Sequence, residues 1–307
     1  MKQTAARYRG RFAPSPTGPL HFGSLVAALA SCCDARAHGG EWLVRIEDLD
    51  EPRSNRDAAL TILAQLEAYG FHIDGAVQWQ SERSALYQSA LDDLVRRGLA
   101  FACACSRSDL EGARIGAGGE RIYPGTCRNG VAPGRSARAW RAAVRDEAIG
   151  FRDRLQGWYE HRLASEVGDF VVKRADGLFA YQLAVVVDDA EQGVTHVVRG
   201  SDLLASTPRQ IWLQQQLGLP TPMYLHHPVA IDVRGEKLSK QTEAAPLSAD
   251  PLPTLLDAWR FLEQPLPSSP LASVDGFWRW VQRAWNPQLL PPVAMLPAPA
   301  SDLRAAV

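Results

Sequence analysis

The sequence has no excess of charge of either sign. Its 307 residues include 33 lysines and arginines against 34 aspartates and glutamates, which gives a net charge of -1. This balance excludes the strongly basic field by which many proteins hold nucleic acid or an anionic membrane surface. Any contact with RNA must therefore be local and depend on particular side chains.

Long apolar runs and a secretion signal are also missing. Apolar runs such as residues 25–30 and 183–187 are far shorter than the ~20 residues that span a bilayer. The basic residues near the start are not followed by the apolar stretch of a signal peptide. Five cysteines, an odd number, argue against a disulfide framework and favour reduced thiols or a metal site. We expect a soluble, cytoplasmic monomer that makes no membrane contact.

A segment dense in proline and glycine lies near the start, residues 11–24. Its three prolines exclude a helix, and its glycines let the backbone approach a ligand closely. A helical pattern follows, so His21, Gly23 and Ser24 are predicted at a helix N-terminus, where free N–H groups favour phosphate. We interpret the segment as a nucleotide site. The alternative is a proline-rich loop that only turns the chain.

Predicted strands and helices alternate along the first hundred residues. The patterns indicate strands over Tyr8–Ala13 and Glu41–Ile46 and helices over Leu25–Ala37, Asp57–Tyr69 and Ser84–Gly98. This order is typical of an α/β protein with a Rossmann-like, doubly wound parallel sheet. Ligands collect at the carboxyl ends of such strands, and Glu47 and Asp48 directly follow the second strand. Taken alone, these two acids are equally compatible with a metal site or a solvated turn.

The pattern of residue types along the sequence changes at Phe101, and the earlier pattern returns near residue 179. We predict that residues 1–100 and 179–245 form the catalytic core, that 101–178 form an inserted α+β subdomain, and that 246–307 form a short helical region. The patterns predict strands over Phe170–Lys173, Leu178–Val187 and Thr195–Arg199, with a hairpin turn at Asp176-Gly177, and a helix over Thr207–Leu217 capped by Thr207. Shorter helical patterns cover Leu255–Leu262 and Phe277–Trp285.

Three cysteines of the insert have the spacing of a metal site. Cys103 and Cys105 lie two residues apart on a predicted strand and therefore face the same side, and Cys127 follows a Pro-Gly turn. Zinc needs four ligands, and Tyr123 is nearby. The alternative is three small buried thiols. Cys32 and Cys33 lie on the first predicted helix and are interpreted as packing residues.

A second motif, Lys237-Leu-Ser-Lys240, contains two lysines and lies far from residues 11–24 in sequence. Taken alone it is typical of a solvated loop. Together with His21-Phe-Gly-Ser24 it resembles the two signatures of class I aminoacyl-tRNA synthetases, although Ser24, Leu238 and Gln241 depart from the common pattern. The resemblance implies that ATP, with Mg²⁺, binds between the two motifs and that the catalytic residues are His21, Lys237 and Lys240. The implied ATP-binding set is His21, Gly23, Ser24, Lys237, Leu238, Ser239 and Lys240.

Further segments resemble the glutamate-specific branch of that family. They are residues 11–18, 45–50, 198–202 and 207–210. The resemblance implies that Arg11 and Arg199 bind the side-chain carboxylate of L-glutamate, with Tyr181 beside them. It also implies that Glu47 and Ser15 hold the α-amino group. The intervening Phe12, Ala13 and Pro14 belong to the same implied glutamate site.

The set Cys103, Cys105, Tyr123 and Cys127 resembles the zinc pattern of one subfamily, the glutamyl-Q tRNA(Asp) synthetases. This resemblance implies one structural Zn²⁺, no anticodon-binding domain, and transfer of glutamate onto the queuosine base in the anticodon stem-loop of tRNA(Asp). A basic and aromatic bias in the insert suits such a partner, and a solvated basic face is the alternative; its residues are Trp140, Arg141, Arg145, Arg152, Arg154 and Arg162. Two further readings stay open: a truncated glutamyl-tRNA synthetase that charges the tRNA 3′ end, and a non-catalytic regulator that binds nucleotide or RNA.

Overall fold

The computed structural model describes residues 7–50, 54–116, 121–238 and 246–299. Two predicted ATP-binding residues, Ser239 and Lys240, lie outside these ranges. Among the described residues, no helix is both long enough and apolar enough to cross a membrane.

A parallel sheet with flanking helices forms the first part of the chain, as the sequence predicts. Its elements are β1 (Arg9–Phe12), α1 (Phe22–Ala37), β2 (Glu41–Ile46), α2 (Arg56–Ala68) and β3 (Gln78–Trp79). Strand β1 pairs with β2, and β2 pairs with β3, both in parallel. Helix α3 (Ser84–Arg96) follows.

Helix α1 is a core helix because small and apolar residues cover nearly its whole surface. Leu25, Leu29, Cys32 and Cys33 are all buried. Burial raises the pKa of the Cys32 thiol to about 12, so the side chain stays a neutral packing group. The interpretation of both cysteines as packing residues is consistent with this environment.

Antiparallel strands follow α3. They are β4 (Ala100–Cys103), β5 (Ala139–Ala142), β6 (Ala148–Asp153), β7 (Gly157–Arg162) and β8 (Val171–Lys173). The short helix α4 (Leu163–Glu166) lies between β7 and β8. Strand β5 lies between β4 and β8, whereas β6 and β7 form a separate hairpin. The change from parallel to antiparallel strand pairing occurs near residue 100, where the pattern of residue types in the sequence also changes.

The second parallel pair completes the core. Its elements are α5 (Tyr181–Glu191), β9 (His196–Gly200), α6 (Thr207–Leu217), β10 (Met223–His227) and β11 (Val229–Ile231). Strand β9 pairs in parallel with β10 and begins beside β1, where Thr195 N–H donates to the Arg9 carbonyl at 2.9 Å. The carboxyl ends of β1, β2 and β9 therefore open toward one space.

Two predictions about this half are wrong. Residues 181–191 form helix α5, where the sequence predicted a strand over Leu178–Val187. The continuous apolar run suits a helix that is buried on most sides as well as it suits a strand. Helix α6 does span Thr207–Leu217, but its N-cap is Ser206 and Thr207 is its first residue. The Thr207 hydroxyl instead contacts Arg199.

The last elements are α7 (Pro251–Phe261), α8 (Val274–Ala284) and β12 (Met295–Pro297). The two helices lie where the sequence predicts them. Aromatic rings join them, since Trp259 of α7 packs edge-on against Phe277 of α8 with 6.0 Å between ring centroids. Strand β12 pairs in parallel with β11 and ties this region to the core.

Candidate active site

A cavity of about 990 Å³ opens at the carboxyl ends of β1, β2 and β9. Every predicted glutamate-binding or ATP-binding residue that the structure describes lines it. These residues are Arg11, Phe12, Ala13, Pro14, Ser15, His21, Gly23, Ser24, Glu47, Tyr181, Arg199, Lys237 and Leu238. Segments that lie far apart in sequence therefore line the same cavity, as expected if ATP binds between the His21 and Lys237 motifs.

One end of the cavity is the N-terminus of helix α1. His21 is its N-cap, and the imidazole lies 3.4 Å (Nδ1) from the Ser24 amide nitrogen and 3.0 Å (Nε2) from the Ser24 hydroxyl. At Gly23 an added Cβ would lie 3.2 Å from His21 Cε1 and 3.5 Å from the Leu238 carbonyl oxygen. Gly23 therefore lies in van der Waals range of the Lys237 motif, and the histidine-containing and lysine-containing motifs meet here.

The lysine of the second motif is already paired. Lys237 Nζ donates to Asp202 Oδ2 at 2.5 Å, and both residues line the cavity. Asp202 belongs to the 3₁₀ turn Ser201–Ser206, which directly follows β9. The ammonium group therefore lies at the mouth of the cavity, where it can exchange a carboxylate for phosphate oxygens.

The floor below the cavity is a buried ion network. Arg11 Nε lies 3.2 Å from Asp189 Oδ1, and Arg45 Nη2 lies 2.6 Å from the same oxygen. Arg45 also contacts Asp188 and the Gln192 side chain. Asp188 also pairs with Arg83 at 2.7 Å, so the network extends beyond these groups. Within it, Asp189 supplies Arg11 with a carboxylate partner from the protein.

Arg199 has a different environment. Its side chain is buried, and its partners are neutral: Nε donates to His226 Nε2 at 3.0 Å, Nη1 to the Tyr181 hydroxyl at 3.3 Å, and Nη2 to Thr207 Oγ1 and Gln210 Oε1 at 2.8 Å each. Among the described residues, no carboxylate forms an ion pair with it. A buried guanidinium without a counter-charge is costly unless a ligand provides one.

Glu47 faces the cavity at the end of β2. Its backbone N–H donates to the Pro14 carbonyl at 3.0 Å, which joins the strand end to the proline-rich segment. Its Oε1 is shielded from solvent and has no hydrogen-bond partner within the described chain. Burial raises the pKa of its carboxyl to about 7, although Arg45 and Arg11 act in the opposite direction.

Tyr181 lies between these charged groups. Burial raises the pKa of its hydroxyl, and the charges of Arg199, Glu47 and Arg11 all act on it. Because Arg199 Nη1 donates to the Tyr181 oxygen, the hydroxyl proton is available to a ligand. The cavity thus offers a cation with a hydroxyl donor on one side and an unpartnered carboxylate oxygen on another.

Several residues that shape the site were missed by the sequence interpretation. Asp189 follows the predicted strand Leu178–Val187 by two residues and was given no role, although two consecutive acids after an apolar stretch can indicate a buried ion network. His226, which accepts from Arg199 Nε, was not singled out by the sequence interpretation. Asp153, which contacts His226 at 2.6 Å, comes from the insert, and no local pattern connects it to the cavity.

The cysteine cluster forms a separate site. Cys105 Sγ lies 3.7 Å from Cys127 Sγ, and the Tyr123 hydroxyl lies 3.4 Å from Cys103 Sγ and 3.6 Å from Cys105 Sγ. Tetrahedral zinc, at about 2.3 Å from sulfur and about 2.0 Å from oxygen, requires edges of about 3.8 Å between sulfurs and about 3.5 Å from sulfur to oxygen. These three distances match the tetrahedral edges, and all three sulfurs lie within 4.8 Å of one another, so the cluster is consistent with a zinc site.

Hydrogen-bond donors favour the thiolate of Cys127, whereas burial raises the pKa of Cys105 and of Tyr123. Burial alone would raise the pKa of the Cys127 thiol, but hydrogen bonds from the Ala104 N–H and the Tyr123 hydroxyl lower it to about 7. Arg141 Nε lies 3.3 Å from Cys103 Sγ, and its guanidinium lies 4.0 Å from the centroid of the Tyr123 ring. Three negative ligand atoms would be partly compensated by this cation.

The predicted basic face is smaller than the sequence suggests. Arg141 belongs to the cysteine cluster, and Arg154 forms an ion pair with Asp34 at 2.6 Å. Arg145, Arg152 and Arg162 remain exposed on or beside the β6–β7 hairpin.

Comparison with known proteins defines the class of this fold and site. Residues 7–251 match the family model described as tRNA synthetases class I (E and Q), catalytic domain. The fold is similar to that of a crystal structure of glutamate-tRNA synthetase from Elizabethkingia anophelis, with a TM-score of 0.79 at 22% identity, over 96% of this chain and 69% of that one. The chain therefore belongs to the class I tRNA synthetases, a class that implies ATP as a substrate.

Curated relatives show to which family within this class the chain belongs. A glutamyl-Q tRNA(Asp) synthetase of Janthinobacterium sp. (strain Marseille) is 56% identical over 287 residues, which cover 91% of this chain and 97% of the relative. One from Aromatoleum aromaticum is 54% identical over 288 residues, 93% of this chain and 91% of the relative. Within the class, the chain belongs to the glutamyl-Q tRNA(Asp) synthetase family.

Proposed function

We propose that this protein activates L-glutamate with ATP as glutamyl-adenylate and transfers the glutamate onto the queuosine base at the wobble position of tRNA(Asp). The observation that carries the proposal is the Arg199 guanidinium, buried at the cavity wall among neutral partners. A ligand with a carboxylate supplies the missing counter-charge. Family membership supplies the reaction class, and Arg199 supplies the reason for an acidic amino acid.

In the proposed complex, the side-chain carboxylate of glutamate accepts hydrogen bonds from Arg199 Nη1 and from the Tyr181 hydroxyl. The α-ammonium group lies against Glu47 and Ser15. Glu47 suits this role because its Oε1 has no partner within the described residues. Arg11 borders the same site, but its pairing with Asp189 makes it a positioning residue rather than the main source of charge.

ATP occupies the other end of the proposed site, between the α1 N-terminus and the Lys237 motif. His21, Gly23, Ser24 and Leu238 line this end, and Lys237 reaches the phosphates after leaving Asp202. The α-carboxylate of glutamate attacks the α-phosphorus, the bond to the β-phosphate oxygen breaks, and pyrophosphate leaves. The nucleophile is already ionised, so catalysis consists of positioning and charge stabilisation. We assign Ser239 and Lys240 to this end from the sequence motif alone.

Magnesium is proposed to arrive with the nucleotide. Within the described residues, the three cysteines are the only cluster of three potential metal ligands. Mg²⁺ commonly binds through substrate phosphates and water, with few protein ligands. The proposed ion therefore needs no carboxylate cage.

We further propose that Cys103, Cys105, Tyr123 and Cys127 hold one Zn²⁺ that fixes the fold of the insert, residues 101–178. The ligand spacings support this ion, as described above. Elemental analysis of purified protein should find one zinc per chain. Cys103→Ser should lose it, whereas Cys32→Ser, at a cysteine outside the cluster, should keep it. Zinc retained in full by the Cys103 variant would contradict the assignment.

The transfer step is tested with labelled glutamate, ATP and tRNA(Asp) from cells that can or cannot make queuosine. We expect label only on the queuosine-containing tRNA. After ribonuclease cleavage of the labelled tRNA, the label should stay on the anticodon stem-loop fragment and not on the 3′-terminal fragment. Equal labelling of tRNA with guanosine at the wobble position would instead identify an enzyme that charges the 3′ end. A complete lack of adenylation by wild-type protein would favour a non-catalytic nucleotide- or RNA-binding protein.

A further inference from the structure

A chain of three buried side chains ends at the cavity arginine. Asp153 Oδ2 lies 2.6 Å from His226 Nδ1, and His226 Nε2 lies 3.0 Å from Arg199 Nε. All three side chains are buried. We call this chain the Asp153–His226–Arg199 relay. Arg199 alone lines the cavity, so the other two act only through it.

The partners of Asp153 fix its orientation. Its Oδ1 accepts backbone N–H groups of Leu155 and Gln156 at 2.9 Å each and of His226 at 3.2 Å. These bonds leave Oδ2 for the imidazole. A carboxylate accepts and cannot donate when ionised, so His226 must carry its proton on Nδ1.

The imidazole therefore presents a lone pair to Arg199. With the proton on Nδ1, Nε2 is an acceptor for the guanidinium Nε–H. Burial lowers the pKa of His226 to about 4, so the ring adds no second positive charge beside Arg199. Thr207 and Gln210 accept from Nη2, which leaves the Nη1 side of the guanidinium for Tyr181 and a ligand.

We infer that Asp153 and His226 are positioning residues for substrate carboxylate recognition, acting by fixing the imidazole tautomer that holds Arg199 in place. This inference depends on the proposed function, in which Arg199 binds the glutamate side chain. Asp153 lies at the end of β6 in the insert, whereas His226 and Arg199 lie on β10 and β9 of the core. The insert would thus complete the amino-acid site as well as carry the metal cluster.

Asp153→Asn reverses the polarity of the relay. The asparagine oxygen can still accept the backbone N–H groups, but its NH₂ group then donates to His226 Nδ1. The imidazole proton must move to Nε2, where it faces the N–H of Arg199 at 3.0 Å and the Thr207 hydroxyl at 3.1 Å, so the acceptor for Arg199 Nε is lost. We expect the KM for glutamate in ATP–pyrophosphate exchange to rise roughly tenfold or more, with the KM for ATP nearly unchanged.

His226→Gln tests the same relay without a tautomer. A glutamine side chain can present its amide oxygen to Arg199, whereas His226→Leu offers no acceptor. The Gln variant should keep a KM for glutamate several-fold lower than that of the Leu variant. In the double variant, His226→Gln should partly reverse the KM defect of Asp153→Asn, because the amide can turn its oxygen toward Arg199.

Asp169→Asn is the matched control. Asp169 is also a buried carboxylate that accepts a backbone N–H, from Val144 at 3.0 Å, but it does not line the cavity and does not contact the relay. It should change stability without a selective rise in the KM for glutamate.

The activity of the wild-type protein distinguishes a failure of the proposed function from a failure of the relay inference. If wild-type protein shows no glutamate-dependent exchange, even with tRNA(Asp) present, the proposed function fails. If wild-type protein is active but His226→Gln and His226→Leu have equal KM values for glutamate, the relay inference fails. This second comparison decides the question even if Asp153→Asn does not fold. A double variant whose fold-change in KM is the product of the two single fold-changes would also overturn it.

Discussion

Arg11 and Arg199 both border the same cavity, yet their surroundings differ. Arg11 is matched by Asp189, which also binds Arg45 in a buried network. Arg199 has an imidazole, a phenol, a threonine hydroxyl and a glutamine amide as partners, and no carboxylate among the described residues pairs with it. The comparison predicts that Arg199, whose charge is unmatched, binds the substrate carboxylate and that Arg11 contributes less to its binding.

The largest expected effect comes from removing the unmatched charge. Arg199→Gln should lower kcat/KM for glutamate by roughly 10³-fold, because a desolvated carboxylate loses its charged partner. ATP–pyrophosphate exchange at saturating ATP measures this change. Arg83→Gln is a control: Arg83 pairs with Asp188 at 2.7 Å but does not line the cavity. Similar losses in both variants would remove the distinction between matched and unmatched arginines.

Breaking the matched network should affect folding more than binding. Asp189→Asn leaves Arg11 and Arg45 without full compensation, so the free energy of unfolding should fall by about 3 kcal/mol. The KM for glutamate should change less than in Arg199→Gln. Urea denaturation, together with exchange kinetics below the transition, measures both quantities. A variant of unchanged stability with a large KM effect would make Arg11 the principal carboxylate-binding residue.

The nucleotide end should respond independently of the amino-acid end. Lys237→Ala should lower kcat for exchange by roughly 10²-fold, because it removes a cation from the developing phosphoryl charge. The KM for glutamate should stay nearly constant. Lys173→Ala, at a lysine outside the cavity that binds Gln88 at 2.7 Å, is the control. A selective effect of Lys237→Ala on the glutamate KM would contradict the proposed division of the cavity.

The smallest effect concerns pH. Because burial raises the pKa of Glu47 to about 7, the free protein holds the protonated acid below that pH and the carboxylate above it. If Glu47 binds the ammonium group, kcat/KM for glutamate should rise with pH, about tenfold per unit well below 7, and level off above it. Glu47→Gln should abolish this step. A wild-type profile without a step near pH 7 would argue against the assigned role.

Sequence motifs predicted the contents of the cavity well, because each motif is short and its residues act through local geometry. The proline-rich segment before α1 and the Lys237 motif could be paired without coordinates, and the structure brings Gly23 next to Leu238. The parallel order of the first strands followed from their alternation with helices. The three cysteines could be grouped because residues two apart on a strand face the same side.

Whether each cavity arginine is paired with a carboxylate could not be predicted from the motifs. Arg11 and Arg199 were assigned the same role from their motifs, and only the three-dimensional positions of Asp189 and His226 distinguish them. Helix α5, which carries Asp189, was taken for a strand because a buried helix and a buried strand share a continuous apolar pattern. Asp153 reaches His226 through a hairpin of the insert, a long-range contact that no local pattern encodes.

The most direct measurement compares glutamate with glutamine in ATP–pyrophosphate exchange by wild-type protein, with tRNA(Asp) present. The two substrates differ at the group that Arg199 is proposed to bind, a carboxylate in one and a neutral amide in the other. An unmatched buried cation predicts a kcat/KM at least roughly 10²-fold higher for glutamate. Equal values for the two amino acids would contradict the proposal that the charge of Arg199 selects the substrate.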